Sequence, residues 1–322
     1  MYAVGLNTYG GPEVLHLLEL PDPHPAPGQV RVKVCAAGIN PVDVMVRDGS
    51  LAQWYSGAQL PFIPGMDIAG IIDAVGEGID PSFGLVIGQD VVGIVDNYGG
   101  YGGYSQYVCL PAASVIPVPA GVAFPAAASF LMNALTARNA LDALALPPGA
   151  TLLVTGAAGA VGAYAVALAH AEGLRVVAVA APEDESFLRS AGAAEFVARG
   201  EHLAARVRQL FPAGVDAVVD AANLRGVIAP AIRDAGTLIV LRPWDDAVLD
   251  HGIRVVFVNV RQRATDHPAI VRLGQQVSDG LLSLRVVAVF PAAEAVAAHR
   301  RLAEGGLRGR LILDFQTLKL KS

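Results

Sequence analysis

One stretch constrains the fold of this chain more than any other. Residues 151–173, TLLVTGAAGAVGAYAVALAHAEG, run from a short apolar strand through a glycine-rich turn into an alanine-rich helix. Glycines at such a turn let backbone N–H groups approach a pyrophosphate, and the positive end of the helix that follows stabilises its charge. Ala157 occupies the first glycine of G-x-G-x-x-G, so the motif alone carries little weight. Its weight comes from the strand before it, the helix after it and the second strand LRVVAVA (174–180). A dinucleotide is therefore expected on Gly156, Ala157, Ala158, Gly159, Ala160, Val161 and Gly162. The alternative is a close-packed turn without a ligand.

From residue 151 onward, strand and helix patterns alternate. After the second strand come a helix DESFLRSAG, a short strand EFVA, a helix EHLAARVRQLFP, a strand VDAVVDAA, a helix LRGVIAPAIRDAG and a strand TLIVL. Nearly continuous apolar strands joined by helices indicate a parallel sheet covered on both faces, an α/β fold. The first 120 residues read differently. Runs at 29–38, 69–78, 85–95 and 104–110 are β-branched and separated by Gly and Pro, which suits a compact antiparallel barrel or sandwich. Residues 124–146 read as helices, and 267–280 and 291–305 as two more. The last run, GRLILDF (309–315), reads as a strand that needs a partner, and the β-rich N-terminal region can supply one. At 322 residues the chain suits two domains.

Composition removes several function classes. Only 16% of residues are charged and 53% are hydrophobic, which excludes a disordered chain. A net charge of −6 gives no basic face for nucleic acid. The window 152–169 is apolar enough to suggest a membrane span, but it changes character at Gly156 and meets His170 and Glu172, so no membrane segment is expected. The start MYAVGLNTYGGPE has no basic region or apolar core of a signal peptide. Cys35 and Cys109 fall in strand-like runs and suit a reduced, cytoplasmic protein. Two cysteines cannot form a four-cysteine zinc site.

The choice between NAD and NADP is open at this level. The second strand ends at Ala180-Ala181, neither acidic nor basic, and Glu183, Asp184 and Glu185 follow. Arg189 and Arg199 are the nearest cations; Arg189 suits a solvated helix face, and Arg199 suits a place over the adenosine ribose.

AAGINPVD (36–43), PFIPGMDIAG (61–70), GGYSQYV (102–108), NALTA (133–137), VTGAAGAVG (154–162), VDAVVDA (215–221) and AHRRLAEGGLRGRLIL (298–313) stand in a characteristic order. On these, the chain resembles the zinc-independent quinone oxidoreductases, the zeta-crystallin-like branch of the medium-chain dehydrogenases/reductases, over nearly its whole length. The resemblance implies a GroES-like, barrel-type catalytic domain built from residues 1–121 and 260–322. A Rossmann domain over 122–259 is inserted into it, and the active site lies in the cleft between them. It also implies a homodimer formed through an edge strand, for which 254–259 (RVVFVN) is suitable.

The same resemblance implies an NADPH-dependent enzyme, with NADH not excluded, and a small quinone or enone as substrate. Where zinc-containing relatives carry ligands, this chain has Asn40, Met66 followed by Asp67, and Met132. Amide and thioether groups cannot replace thiolate and imidazole on zinc, so no metal is expected. Asn40 is the substrate-side residue implied near the nicotinamide ribose, with a buried loop-tying amide as the alternative. Thr136 is implied at the nicotinamide end, or else bonds back to its own helical turn. Arg310 is implied near the adenosine phosphate, or else is a solvated cation. Asp43 suits a helix N-terminal acid, and His299 a structural position. The family's tyrosine is replaced by Met45; Tyr55, in LAQWYSGAQ, is the candidate replacement hydroxyl, with a surface aromatic as the alternative. The run 97–104 (NYGGYGGY) reads as a mobile flap or as a β-turn with packing tyrosines. Two other readings stay open: an enoyl or enone reductase of lipid or polyketide metabolism, which needs a positioned proton donor, and a crystallin-like or regulatory protein that binds the cofactor with little turnover.

Overall fold

The structure is a computed structural model that describes residues 1–98, 100–244 and 249–318. In chain order, β1 (Tyr2–Gly5), β2 (His16–Glu19), β3 (Gln29–Ile39), α1 (Pro41–Asp48), β4 (Asp67–Val75), β5 (Asp90–Ile94), β6 (Tyr107–Pro111) and β7 (Val115–Pro117) form the β-rich first part. Next come α2 (Phe124–Ala127), α3 (Leu131–Leu144), β8 (Thr151–Thr155), α4 (Ala160–Ala171), β9 (Arg175–Ala180), α5 (Glu185–Ser190), β10 (Glu195–Ala198), α6 (Leu203–Leu210), β11 (Val215–Asp220), β12 (Ile232–Val240) and β13 (Arg254–Phe257). The chain closes with α7 (His267–Ser278), β14 (Val286–Pro291), α8 (Ala295–Ala303) and β15 (Arg310–Asp314).

Two compact units result. One comprises residues 1–132, 264–280 and 284–322, and the other 133–263 and 281–283. The first is thus built from both chain ends. Its sheet runs β14-β15-β3-β4-β5-β7, with β6 also paired to β3, and is antiparallel apart from the β14–β15 pair. The terminal strand β15 finds its partner in β3, where Leu313 faces Ala37 and Ile312 faces Gly38. The first unit extends to Met132 rather than ending at 121, because α2 packs on β3: a side chain at Gly38 would sit 2.4 Å from the Ala128 carbonyl. Cys35 and Cys109 lie on β3 and β6 as unpaired thiols, each pushed up to about 11 by burial.

The second unit holds a six-stranded parallel sheet in the order β10-β9-β8-β11-β12-β13. The order reverses at β8, so the crevice above the carboxyl ends of β8 and β11 is the topological switch point where doubly wound sheets bind ligands. α4 is buried from Gly162 to Ala169, as an Ala-rich helix lying against a sheet requires.

Two sequence expectations need correction, and one strand went unread. The helix read over 224–236 is absent. Short turns of 3₁₀ type at Arg225–Val227 and Ala229–Ala231 lead straight into β12, which already pairs with β11 at Ile232. Pro230 removes a helical donor, and the Arg208 guanidinium donates to the carbonyls of Pro230 and Ile232, holding the segment extended. The strand read over 85–95 starts only at Asp90, with Val86 and Ile87 exposed in the loop before it. Strand β14, opposite β15, carried no clear signal because its outward positions Val287 and Val289 are apolar and exposed, which blurs the alternation. No described helix is long and apolar enough to cross a membrane.

Candidate active site

The glycine-rich turn sits between β8 and α4, as its sequence requires. Gly156 has φ +56°, and a side chain there would press on the Ala222 amide at 3.2 Å. Ala157 N–H donates to the Val179 carbonyl and Gly159 N–H to the Gly156 carbonyl, which fixes the turn against β9. Those two donors are therefore committed to the protein. The first turn of α4 leaves the N–H groups of Ala160, Val161 and Gly162 without intrahelical acceptors, directed with the helix dipole toward the crevice. Gly162 is sterically obligatory: a Cβ would lie 2.3 Å from the Gly156 carbonyl oxygen and 2.8 Å from the Ala157 Cα. This is a cradle shaped for close backbone approach, and it fits a dinucleotide pyrophosphate.

The segment after β11 is locked to this turn. Thr155 hydroxyl donates to Asp220 Oδ1 at 2.6 Å, and its oxygen accepts from Ala222 N–H at 3.0 Å. Asp220 Oδ2 accepts from Arg225 N–H at 2.6 Å. Asn223 and Arg225 both have positive φ, 58° and 53°, a conformation that costs about 1 kcal/mol or more and persists only where surroundings enforce it. Thr155→Val removes the hydroxyl from this buried pair and leaves Asp220 short of a donor. A loss of roughly 1–3 kcal/mol is expected, read as a lowered urea midpoint, and an unchanged midpoint would show that the lock is dispensable.

Arg199 follows β10, exposed, and its N–H donates to the Ala180 carbonyl at 2.7 Å, which brings it to the end of the second strand. Arg189 instead pairs with Glu185 on the outer face of α5. Thr136 is buried on α3.

In the first unit, Asn40 precedes α1 and is fully buried. Its side-chain Nδ2 donates to Asp67 Oδ2 at 3.0 Å, and its backbone N–H donates to Asp43 Oδ2 at 2.7 Å. Asp67 also accepts from Met132 N–H at 2.7 Å and lies 3.5 Å from Arg310 Nη2. Arg310 is only 5% exposed. It is therefore not a solvated cation: its place on β15 makes it the buried counter-charge of Asp67. Tyr55 is also corrected. It is 5% exposed, stacks edge-on with Phe62, and donates its hydroxyl to Asn97 Oδ1 at 2.9 Å, so it is not a surface aromatic. Within the run 97–104 read as a flap or a β-turn, Gly99 lies outside the described residues, and Tyr104 is a core residue.

Sequence reasoning missed a buried polar chain. Arg47 Nη1 lies 3.2 Å from His299 Nδ1, His299 Nε2 lies 3.2 Å from the Tyr104 hydroxyl, and that hydroxyl donates to Asp43 Oδ2 at 3.2 Å. Asp43 Oδ1 accepts from Gly65 N–H at 2.9 Å. Arginine only donates, so Nδ1 must accept and the neutral imidazole carries its proton on Nε2, aimed at Tyr104. Burial, with Arg47 alongside, pushes His299 down to about 3. Burial raises Asp43 to about 6 against the hydrogen bonds that it accepts, and raises Asp67 and Tyr104 as well. The N-terminal acid of α1 is therefore a hub rather than a dipole partner alone. No local spacing links residues 43, 47, 104 and 299.

The positions that the resemblance assigns to zinc ligands carry Asn40, Met66 and Met132, amide and thioether groups that do not suit zinc, and among the described residues no three His, Cys, Asp or Glu side chains are grouped to hold a metal.

Comparisons with known proteins agree on the architecture. The family described as alcohol dehydrogenase GroES-like domain matches residues 26–120, and that described as zinc-binding dehydrogenase matches residues 191–313. A chloroplast envelope quinone oxidoreductase homolog from Arabidopsis thaliana is 27% identical, with 98% of each chain covered. The quinone oxidoreductase from Coxiella burnetii superposes with a TM-score of 0.82 at 26% identity, covering 98% of this chain and 99% of that one. A mycobacterial protein complexed with NADPH gives a TM-score of 0.84 at 26% identity, covering 98% of this chain and 100% of that one.

Proposed function

We infer the function of this chain from its family: it belongs to the medium-chain dehydrogenase/reductase superfamily, as a quinone oxidoreductase-like member, and is an NAD(P)H-dependent oxidoreductase. The reading favoured here is zinc-independent hydride transfer from NADPH to a quinone. The single observation that carries it is the pairing of an obligatory-glycine cradle at the head of α4 with Asn and Met side chains at the positions where zinc relatives carry ligands.

The N–H groups of Ala160, Val161 and Gly162 would hold the pyrophosphate, with Gly156, Ala157, Ala158 and Gly159 shaping the turn. Arg199 would meet the adenosine 2′-phosphate, while Asn40 and Thr136 are the residues that the resemblance assigns to the nicotinamide end. Bound there, the cofactor supplies a hydride. The net reaction adds one hydride and one proton to the quinone, and water serves as the proton source. An electron-poor acceptor needs no Lewis acid, and the amide and thioether side chains at positions 40, 66 and 132 offer none a site. The enone-reductase reading needs a proton donor beside the substrate, and the Tyr55 hydroxyl is already donated to Asn97. The two unpaired thiols suit the cytoplasm. The exposed edge strand β13, with Phe257 outward, suits pairing with a second copy across a two-fold axis.

The test is oxidation of NADPH and NADH against a panel of quinones and enones, with and without a chelator. Quinone-dependent NADPH oxidation indifferent to chelator is expected. Loss of activity with chelator would overturn the metal-free reading, turnover of enones alone would overturn the quinone reading, and tight binding without turnover would leave a cofactor-binding protein. Arg199→Ala should weaken NADPH binding about tenfold, the loss of one charge-assisted contact, while leaving NADH binding within about twofold. Equal losses for both cofactors would remove Arg199 from the phosphate site.

A further inference from the structure

We propose that Arg206 is a specificity-determining residue for the cofactor: its guanidinium, held beneath the loop that leaves β10, is a second cation beside Arg199 for the adenosine 2′-phosphate of NADPH. The proposal rests on the reading that the chain takes NADPH at the carboxyl edge of its parallel sheet.

Arg206 stands on α6, partly buried. Its Nε and Nη2 atoms are closed off from solvent and meet no hydrogen-bond acceptor among the described residues. Arginine keeps its charge and can only donate, and buried donors are paired almost everywhere in native structures. Arg208, two residues on, shows the ordinary structural use of this side chain: its Nε, Nη1 and Nη2 donate to the carbonyls of Pro230, Pro212 and Ile232. The Nε and Nη2 of Arg206 have no such carbonyl. Their natural acceptor is an anion from outside the chain.

The place of this cation says which anion. β10 runs parallel to β9 with Ala198 beside Ala180, and Arg199 N–H donates to the Ala180 carbonyl, so the loop after β10 leaves the sheet at its carboxyl edge. In a doubly wound sheet that edge binds the dinucleotide, with the adenosine ribose at the end of the second strand, here β9. Helical side chains lean toward the N-terminus of their helix. Arg206, at the first turn of α6, accordingly reaches back to this loop, and its Nη2 would lie 3.7 Å from a Cβ on Gly200. Arg199 and Gly200 are exposed, and Gly200 puts no side chain over the guanidinium, so a shift of this one short loop brings the fork to a phosphate. A phosphate matches a planar guanidinium with two oxygens at once, whereas a ribose 2′-hydroxyl gains little from a cation. Arg206 therefore favours NADPH over NADH. In the empty protein the same cation is a burden on stability, because nothing answers its buried donors.

The experiment titrates the parent, Arg206→Met and Arg206→Lys by calorimetry with adenosine 2′,5′-bisphosphate and with 5′-AMP, which differ only in the 2′-phosphate. Thermal midpoints of the unliganded proteins are measured alongside. Arg206→Met should weaken the bisphosphate about tenfold and 5′-AMP by no more than about twofold, and Arg206→Lys should recover part of the loss. The unliganded midpoint of Arg206→Met should equal or exceed that of the parent, a direction that a structural arginine would reverse. A lowered midpoint with the preference for the bisphosphate intact makes Arg206 structural and overturns the proposal, as do equal losses for the two ligands. A parent that binds neither ligand nor NADPH overturns the NADPH reading, and the proposal with it. A parent that prefers the bisphosphate, with that preference unchanged in Arg206→Met, overturns the role of Arg206 alone.

Discussion

Replacing Gly162 by valine is expected to weaken dinucleotide binding roughly tenfold or beyond while leaving a folded protein. Even a methyl group at this position would lie 2.3 Å from the Gly156 carbonyl oxygen, and the atoms that it meets are backbone. Backbone cannot rotate away as a flexible side chain can, so α4 must slide off the turn. The N–H groups of Ala160, Val161 and Gly162 then lose their convergence on the crevice. Overpacking of this kind costs about 1–3 kcal/mol, so the thermal midpoint should fall by several degrees, on the scale of roughly 2–4 °C per kcal/mol in a chain of this class. Binding should suffer more, with Kd for NADPH rising roughly tenfold or beyond, since the cradle and not merely the helix is displaced. Fluorescence titration below the variant's midpoint separates the two effects. A lowered midpoint with an unchanged Kd would show that the turn is structural and holds no pyrophosphate.

The second large effect is on the pH dependence of stability. Unfolded, His299 titrates at 6.5 and Asp43 at 3.8; folded, burial moves them to about 3 and about 6. Between about pH 4 and pH 6 the unfolded chain holds a proton on His299 and none on Asp43, whereas the folded protein holds one on Asp43 and none on His299. The proton counts match, so these two groups together contribute almost no slope in that window. Single substitutions unmask each half. His299→Gln leaves Asp43, whose raised folded value makes stability fall as pH rises from 3.8 to about 6. Asp43→Asn leaves His299, whose lowered folded value makes stability fall as pH drops from 6.5 toward 3. Each slope approaches ~1.4 kcal/mol per pH unit. Asp67, raised by burial beside Arg310, has the sign of Asp43 but is common to all three proteins. Arg47 and Tyr104 keep their charge states across the window, so differences from the parent isolate the pair. Urea midpoints between pH 4 and 6.5 measure it, and parallel curves for all three proteins would refute the assignment. Both substitutions also lower stability at every pH, because each leaves a member of the buried chain without its partner.

How much of this was legible in the sequence depended on the range of the signal. The turn at 156–162 is local, and its neighbours β8, α4 and β9 declare themselves by apolar runs and glycine punctuation, so this part of the site was readable residue by residue. The segment 224–236 was not. Its apolar spacing suits a helix, but Arg208, from another element, captures the carbonyls of Pro230 and Ile232, and pairing with β11 draws the chain into a strand. Tyr55 and Arg310 failed for a related reason. A tyrosine in a polar loop and an arginine after GGLRG look exposed, and only the partners Asn97, Phe62 and Asp67 bury them.

The sequence by itself determined the parallel sheet, the glycine-rich turn between β8 and α4, and a terminal strand that needs a partner. Each of these is written in neighbouring residues, because periodicity and steric permission act at short range. Tertiary structure alone decided the electrostatics of the candidate site: that Arg310 answers Asp67, that Asn40 donates to Asp67, and that Arg47, His299, Tyr104 and Asp43 form one directed chain. A buried charge must find its partner wherever the fold delivers one. The distance that sets that pairing is measured through space, and residues 43 and 299 or 67 and 310 become neighbours only when β15 and α8 return to the first unit.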